Sequence, residues 1–189
     1  ATALLFAGFT SSCSDFLDRY PLDELSDSSF WKTENDAMMA VTDIYGCLPT
    51  WDQDEDINSD NAVHGIKWAA GNISKGIYDP MDQSWAGSYT PIRQCNLVLE
   101  KVKDIEMSDE SRKKIEGQAY FFRAFVYFNL IRSFGDVPYI DKPLNLTDVE
   151  DITRTPREEV YAKVMADFDK AIEYLPEEWD AANTCLLYT

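Results

Sequence analysis

The sequence holds one histidine in 189 residues, and none of its four cysteines forms a CxxC pair or stands close to that histidine. Zinc needs three or four Cys, His or carboxylate ligands at short spacings, so no metal site of that kind is expected. Basic residues are scarce too: 17 Lys+Arg stand against 34 Asp+Glu, a net charge of −17. Such a surface repels phosphate backbones, and no nucleic-acid partner is expected. No apolar run approaches the ~20 residues that span a bilayer. There is no P-loop, GxSxG or HExxH, and no carboxylate lies in an apolar context that would raise its pKa for acid catalysis. These absences argue against an enzyme. What is present is 45% hydrophobic and 13% aromatic residues, too much for a disordered acidic chain and enough for one compact domain.

The two ends differ from the rest. Ala1–Phe9 reads ATALLFAGF, followed by Thr10-Ser11-Ser12 and Cys13, with neither Met nor a basic stretch before it. This fits the apolar core of a secretory signal, so residues 1–12 are expected to be a signal-peptide remnant. A cysteine directly after such a run looks like a bacterial lipoprotein acceptor, although Thr10 departs from the usual Leu. Lipidation at Cys13 is the expectation, and an ordinary cleaved signal is the alternative. Cys185–Thr189 reads CLLYT, as a translated transposase adapter from DNA sequencing would. Residues 185–189 are therefore expected to be non-native, the alternative being a genuine apolar tail.

Between the ends the periodicity is helical. Thr33 precedes Glu34-Asn35-Asp36, acids suited to a helix start. Ala37, Met38, Val41, Ile44, Tyr45 and Leu48 follow at helical spacing until Pro49. Helix resumes near Tyr89, with Ile92, Cys95, Asn96, Leu99, Val102 and Lys103 on one stripe. Ser108 opens the strongest helix. Ile115, Ala119, Phe122 and Val126 step along one face, and Phe121, Phe125 and Phe128 cover the next. A helix so apolar around its circumference is expected between other helices, up to the stop at Gly135 and Pro138. Thr155-Pro156-Arg157-Glu158 reads as a capping box before a stripe of Val160, Val164, Phe168, Ala171, Ile172 and Leu175. Phe168, Ala171 and Pro176 carry the spacing of a tetratricopeptide second helix. No convincing strand alternation occurs, and the expected fold class is all-α. Cys47 and Cys95 fall on helices, as small buried hydrophobes or, in an oxidising compartment, as a pair. Arg123, set among aromatics, is expected to form a buried ion pair or cap a helix end.

Five stretches in order resemble the SusD/RagB family of Bacteroidetes outer-membrane lipoproteins. They are Cys13-Ser14-Asp15-Phe16-Leu17-Asp18 with Pro21, Leu25-Ser26-Asp27 and Phe30-Trp31; then Asp36-Ala37 to Ile44-Tyr45; then Trp85, Tyr89, Ile92 and Asn96. The fourth runs from Glu116-Gly117-Gln118-Ala119 through Arg123-Ala124 and Tyr127-Phe128 to Phe134-Gly135-Asp136-Val137-Pro138. The fifth joins Arg154-Thr155-Pro156, Val160-Tyr161, Asp167, Ala171-Ile172 and Leu175-Pro176. The resemblance implies tetratricopeptide-like helical pairs over 34–184, hung from the membrane by a lipid-anchored tether over 13–33. It implies a non-enzymatic surface protein that captures oligosaccharide or peptide and delivers it to a SusC-like TonB-dependent transporter, with no cofactor. Much of the ligand site in such proteins lies in a C-terminal half.

Sugar capture needs flat aromatic faces together with amides and carboxylates for hydroxyls. The irregular excursion from Trp51 to Trp85 supplies both, and long loops in compact domains are commonly functional. By analogy with the family, Trp68 is the expected stacking platform, with Asn72 and Asp60 as hydrogen-bonding partners and Asn61 and Trp51 beside them. Core packing is the competing reading for each aromatic, and Trp85 is expected in the core. Asp52, Asp54, Glu55 and Asp56 lack the Gly and Glu an EF-hand requires and read as a solvated charge run. Two other classes stand beside the leading one. A protein-binding tetratricopeptide scaffold would need exposed groove residues and no aromatic loop. A glycoside hydrolase fragment would need acid pairs at fixed separation in a cleft.

Overall fold

The computed structural model describes residues 30–48, 76, 85–145, 148 and 151–178, and among these the architecture is helical. Helix α1 spans Glu34–Ile44 and α2 spans Trp85–Lys101. Helix α3 spans Asp109–Phe134, and α4 spans Arg157–Tyr174. Single 3-10 turns, Tyr45–Cys47 and Val102–Asp104, follow α1 and α2. Among the described residues there is no strand, only one antiparallel bridge between Val137 and Thr155. The all-α, tetratricopeptide-like expectation holds.

Caps set the boundaries. The Thr33 side chain accepts the Asp36 N–H while Asp36 Oδ2 accepts the Thr33 N–H at 2.8 Å, a reciprocal capping box at the head of α1. Ser108 Oγ accepts the Ser111 N–H at 3.1 Å and opens α3. Gly135 ends α3 at φ 71°, a backbone conformation in which an L side chain is strained. Two expectations need correction. Helix α2 begins at Trp85, four residues before the expected start, and carries Pro91 in its interior. Proline cannot donate to the carbonyl of Gly87, but Gly87 is exposed, so its carbonyl is not sealed away from solvent. The capping box expected at Thr155 does not form: the cap of α4 is Pro156, without a side-chain hydrogen bond. Thr155 is held in the bridge to Val137, and the Arg157 N–H donates to Asp136 Oδ1 at 2.9 Å. A carboxylate from the preceding loop thus satisfies the helix end.

Packing runs along α3. Its first half, Ile115, Ala119 and Phe122, packs with Ala37, Val41 and Ile44 of α1 and with Cys95 to Val102. Its second half, Ala124 to Ile131, packs with Ile92, Val137, Val160 and Val164. The reversal of partners along the sequence makes α2 antiparallel to α3. Helix α4 is also antiparallel to α3, with its tail against the first half: a Cβ on Gly117 would stand 3.0 Å from Leu175 Cδ2 and 3.1 Å from Tyr174 Cβ. Helix α3 therefore sits between others, as its composition predicts. The second aromatic face does not follow: Phe121 and Phe128 are 37% and 43% exposed. Ile172 likewise leaves the α4 stripe at 78% exposure, and Lys103 is exposed on the 3-10 turn instead of buried on the α2 stripe. Buried Asp167 takes a place on that stripe instead. Cys95 is buried and Cys47 half-buried; both are free thiols, each pushed up in pKa by burial.

A candidate binding cleft

Helix α3 carries Arg123 into the space between α2 and α4. Its guanidinium grips Asp167 of α4 in a fork, Nε to Oδ2 at 2.7 Å and Nη2 to Oδ1 at 2.8 Å. Nη1 donates to Asn96 Oδ1 of α2 at 2.8 Å. Asn96 passes the linkage on, its Nδ2 donating to the carbonyls of Ile140 at 2.9 Å and Lys142 at 3.4 Å. All three side chains are buried. Burial alone would pull the guanidinium pKa down, but the hydrogen bonds and charge of Asp167 reverse this and raise it. Every buried polar side-chain atom among the described residues has a partner.

Above this triad opens a cleft of about 380 Å³, walled by α2, α3, α4 and the segment 139–143. Tyr120 and Tyr139 stand on its walls. Lys170 Nζ lies 4.7 Å from the Tyr120 ring centre and Lys163 Nζ 4.8 Å from that of Tyr139. Arg123 lies 5.4 Å from the Tyr120 ring centre. Behind Tyr139, the ring of Tyr127 packs at 4.8 Å, and the Tyr127 hydroxyl accepts the Ile140 N–H at 2.7 Å. That bond fixes the segment 139–143 against α3. Burial pushes the Tyr139 phenol up to about 12, against a smaller opposing effect of Arg123. Lys103 and Lys142 complete the cleft, together with Glu100 and Asp141. Among the described residues no three His, Cys, Asp or Glu side chains converge on a point that could hold a metal.

Fold and cleft together can be set against known proteins. A SusD-like family model, described as starch-binding and associating with the outer membrane, matches residues 15–186. The chain belongs to the SusD-like family. Among relatives, SusD-like protein P2 of Formosa agariphila is 30% identical over 180 residues, which cover 87% of this chain and 35% of that protein. A SusD-like protein of Bacteroides ovatus is 24% identical over 191 residues, covering 95% and 34%. The crystal structure of a SusD-like protein from Bacteroides fragilis superposes with TM-score 0.73 at 26% identity, over 87% of this chain and 34% of that one. This SusD-like chain thus spans about a third of the length of the relatives it matches.

Trp51, Asp60, Asn61, Trp68 and Asn72, the residues expected to bind ligand, and Cys13 all lie outside the described residues. Trp85 is described and packs against Phe134 at 4.8 Å with Arg154 over its ring, a core position as expected. Sequence reasoning assigned Arg123 a buried ion pair but did not find its partners. The available signal was polarity on an apolar stripe: Asp167 falls at i+7 from Val160, and Asn96 follows Cys95 on the buried side of α2. The cleft lysines carried no such signal, because a lysine on the edge of a stripe looks like any solvated residue.

Proposed function

We propose that this chain is part of a non-enzymatic surface protein that captures glycan outside the cell and hands it to a SusC-like TonB-dependent transporter. The observation that supports it is the match of residues 15–186 to a family described as starch-binding and outer-membrane-associated. Capture proceeds without bond cleavage. Trp68 is the proposed stacking platform, with Asn72, Asp60, Asn61 and Trp51 supplying further contacts. Acylated Cys13 and the tether over 13–33 hold the helical domain that begins at Glu34 at the outer membrane. Calorimetric titration with neutral gluco-oligosaccharides tests the reading. Trp68→Ala is expected to weaken capture about tenfold, ~1.4 kcal/mol, and unchanged affinity removes that site assignment. Labelled palmitate should enter the wild-type protein and not Cys13→Ser.

One observation favours a second reading, a protein-binding scaffold: Phe121, Phe128, Tyr161, Met165 and Ile172 are exposed apolar residues on the helical array. That reading expects no heat with any sugar.

A further inference from the structure

We propose that the cleft above Arg123 is a ligand site of its own, selective for oligosaccharide bearing carboxylate or sulfate groups. The inference rests on the glycan-capture reading and adds a substrate class to it.

Charge is the first ground. The chain carries 34 acidic and 17 basic side chains, yet Lys103, Lys142, Lys163, Lys170 and Arg123 converge on one cleft against Glu100, Asp141 and Asp167. Arg123 and Asp167 neutralise each other at hydrogen-bond distance. Among the side chains that line the cleft, four ammonium groups then face two carboxylates, with Glu159 and Asp148 at its rim and Glu116 beside Lys103 and Lys170. Like charges gathered in one concavity repel, and an anion placed among them relieves that repulsion.

Geometry is the second. Lys163 and Lys170 lie over the Tyr139 and Tyr120 rings, contacts that hold an ammonium without cancelling its charge. The carboxylate contacts of Lys163 and Lys142 are loose, 3.9 Å from Glu159 and 3.9 Å from Asp148 respectively. Seven residues apart on α4, Lys163 and Lys170 share a face about 10 Å from end to end. A ligand meeting both carries two negative groups at that separation, as an acidic oligosaccharide does. Both rings already have close neighbours: Arg123 and Lys170 lie within 5.4 Å of the Tyr120 ring centre, and Tyr127 and Lys163 within 4.8 Å of that of Tyr139. Stacking of a neutral pyranose is therefore not the recognition mode here. The triad beneath is rigid and saturated, so it shapes the floor while the lysines read charge. A volume of about 380 Å³ lies within the range of small-molecule sites. The remaining acidic surface disfavours a long, dense polyanion and leaves a short, sparsely charged chain as the fitting ligand.

Calorimetry on the full chain, with oligogalacturonate, a sulfated galactan oligosaccharide and a neutral gluco-oligosaccharide, tests this. At least one acidic ligand is expected to bind and to weaken as salt is raised. Lys163→Ala with Lys170→Ala should reduce that binding at least tenfold while leaving neutral-sugar binding and the circular dichroism spectrum unchanged. Lys163→Arg with Lys170→Arg should largely retain it. Whether uronate or sulfate is preferred identifies the source of the anion, and either supports the site. Equal binding of neutral and acidic ligands, or acidic binding indifferent to the lysine variants, overturns the inference and leaves glycan capture standing. Absence of binding by all three sugars overturns both.

Discussion

A guanidinium taken out of water loses several kcal/mol of solvation, and only a well-placed anion with further hydrogen bonds makes up the loss. Arg123 has both: Asp167 in a fork and Asn96 on its remaining arm. Such an arrangement is weak evidence for net stability, since an apolar replacement of both charges often does as well. Its value here is positional, because the three residues come from α3, α4 and α2 and agree at one point. Asp167→Leu alone strands a buried cation and is expected to cost about 3–5 kcal/mol in urea unfolding. Adding Arg123→Met should restore most of that loss. A single variant within about 1 kcal/mol of wild type, the ordinary scale of an exposed pair, would mean that water reaches the guanidinium and that the floor of the cleft is not closed.

At the scale of elements, the α3–α4 contact depends on what is missing from Gly117. Glycine inside a helix costs up to ~1 kcal/mol relative to alanine, and α3 accepts this at a position where a Cβ would press on Leu175 and Tyr174 Cβ. Leu175 can yield, but Tyr174 Cβ is fixed to the backbone. Gly117→Val is therefore expected to destabilise by about 1–3 kcal/mol through overpacking, read as a lower melting temperature, whereas Leu175→Ala with Gly117→Val should recover part of it. A neutral Gly117→Val would put α4 farther from α3 than the geometry here has it. Sequence periodicity made most of these elements legible, because Ser108, Gly135 and the Val160–Val164 stripe each act locally. It failed where tertiary partners decide. Asp136 displaced Thr155 from the cap of α4, Phe121 and Phe128 stayed at the surface, and Asp167 took a core position that composition assigns to an apolar residue. The cleft was legible only as Arg123; its lysines come from α4, the 3-10 turn after α2 and the segment 139–143, and only the packing of these separate elements brings them together.

At the scale of the molecule, the described residues present two unlike surfaces. One holds the cationic cleft. Another is apolar: Phe121 and Phe128 on α3, with Tyr161, Met165 and Ile172 on α4, are each between 37% and 78% exposed. On α4 these fall at i, i+4 and i+11, and half-buried Phe168 completes the stripe at i+7, meeting Phe121 edge-on at 6.0 Å. Two parallel rows of large apolar side chains across one helical pair exceed what scattered surface residues produce, and contiguous patches of this kind mark contact sites. The net charge of −17 opposes association at low ionic strength, and salt screens that repulsion while leaving apolar attraction intact. The 189-residue chain is accordingly expected to sediment as a monomer in dilute low-salt buffer and to self-associate as salt and protein concentration rise. Met165→Lys with Ile172→Lys should abolish the association without lowering the melting temperature, since neither side chain is buried. Association that survives the double substitution would move the sticky surface elsewhere. A chain that stays monomeric in high salt would mean that the exposed rows are too narrow, or too well flanked by charge, to act as one patch.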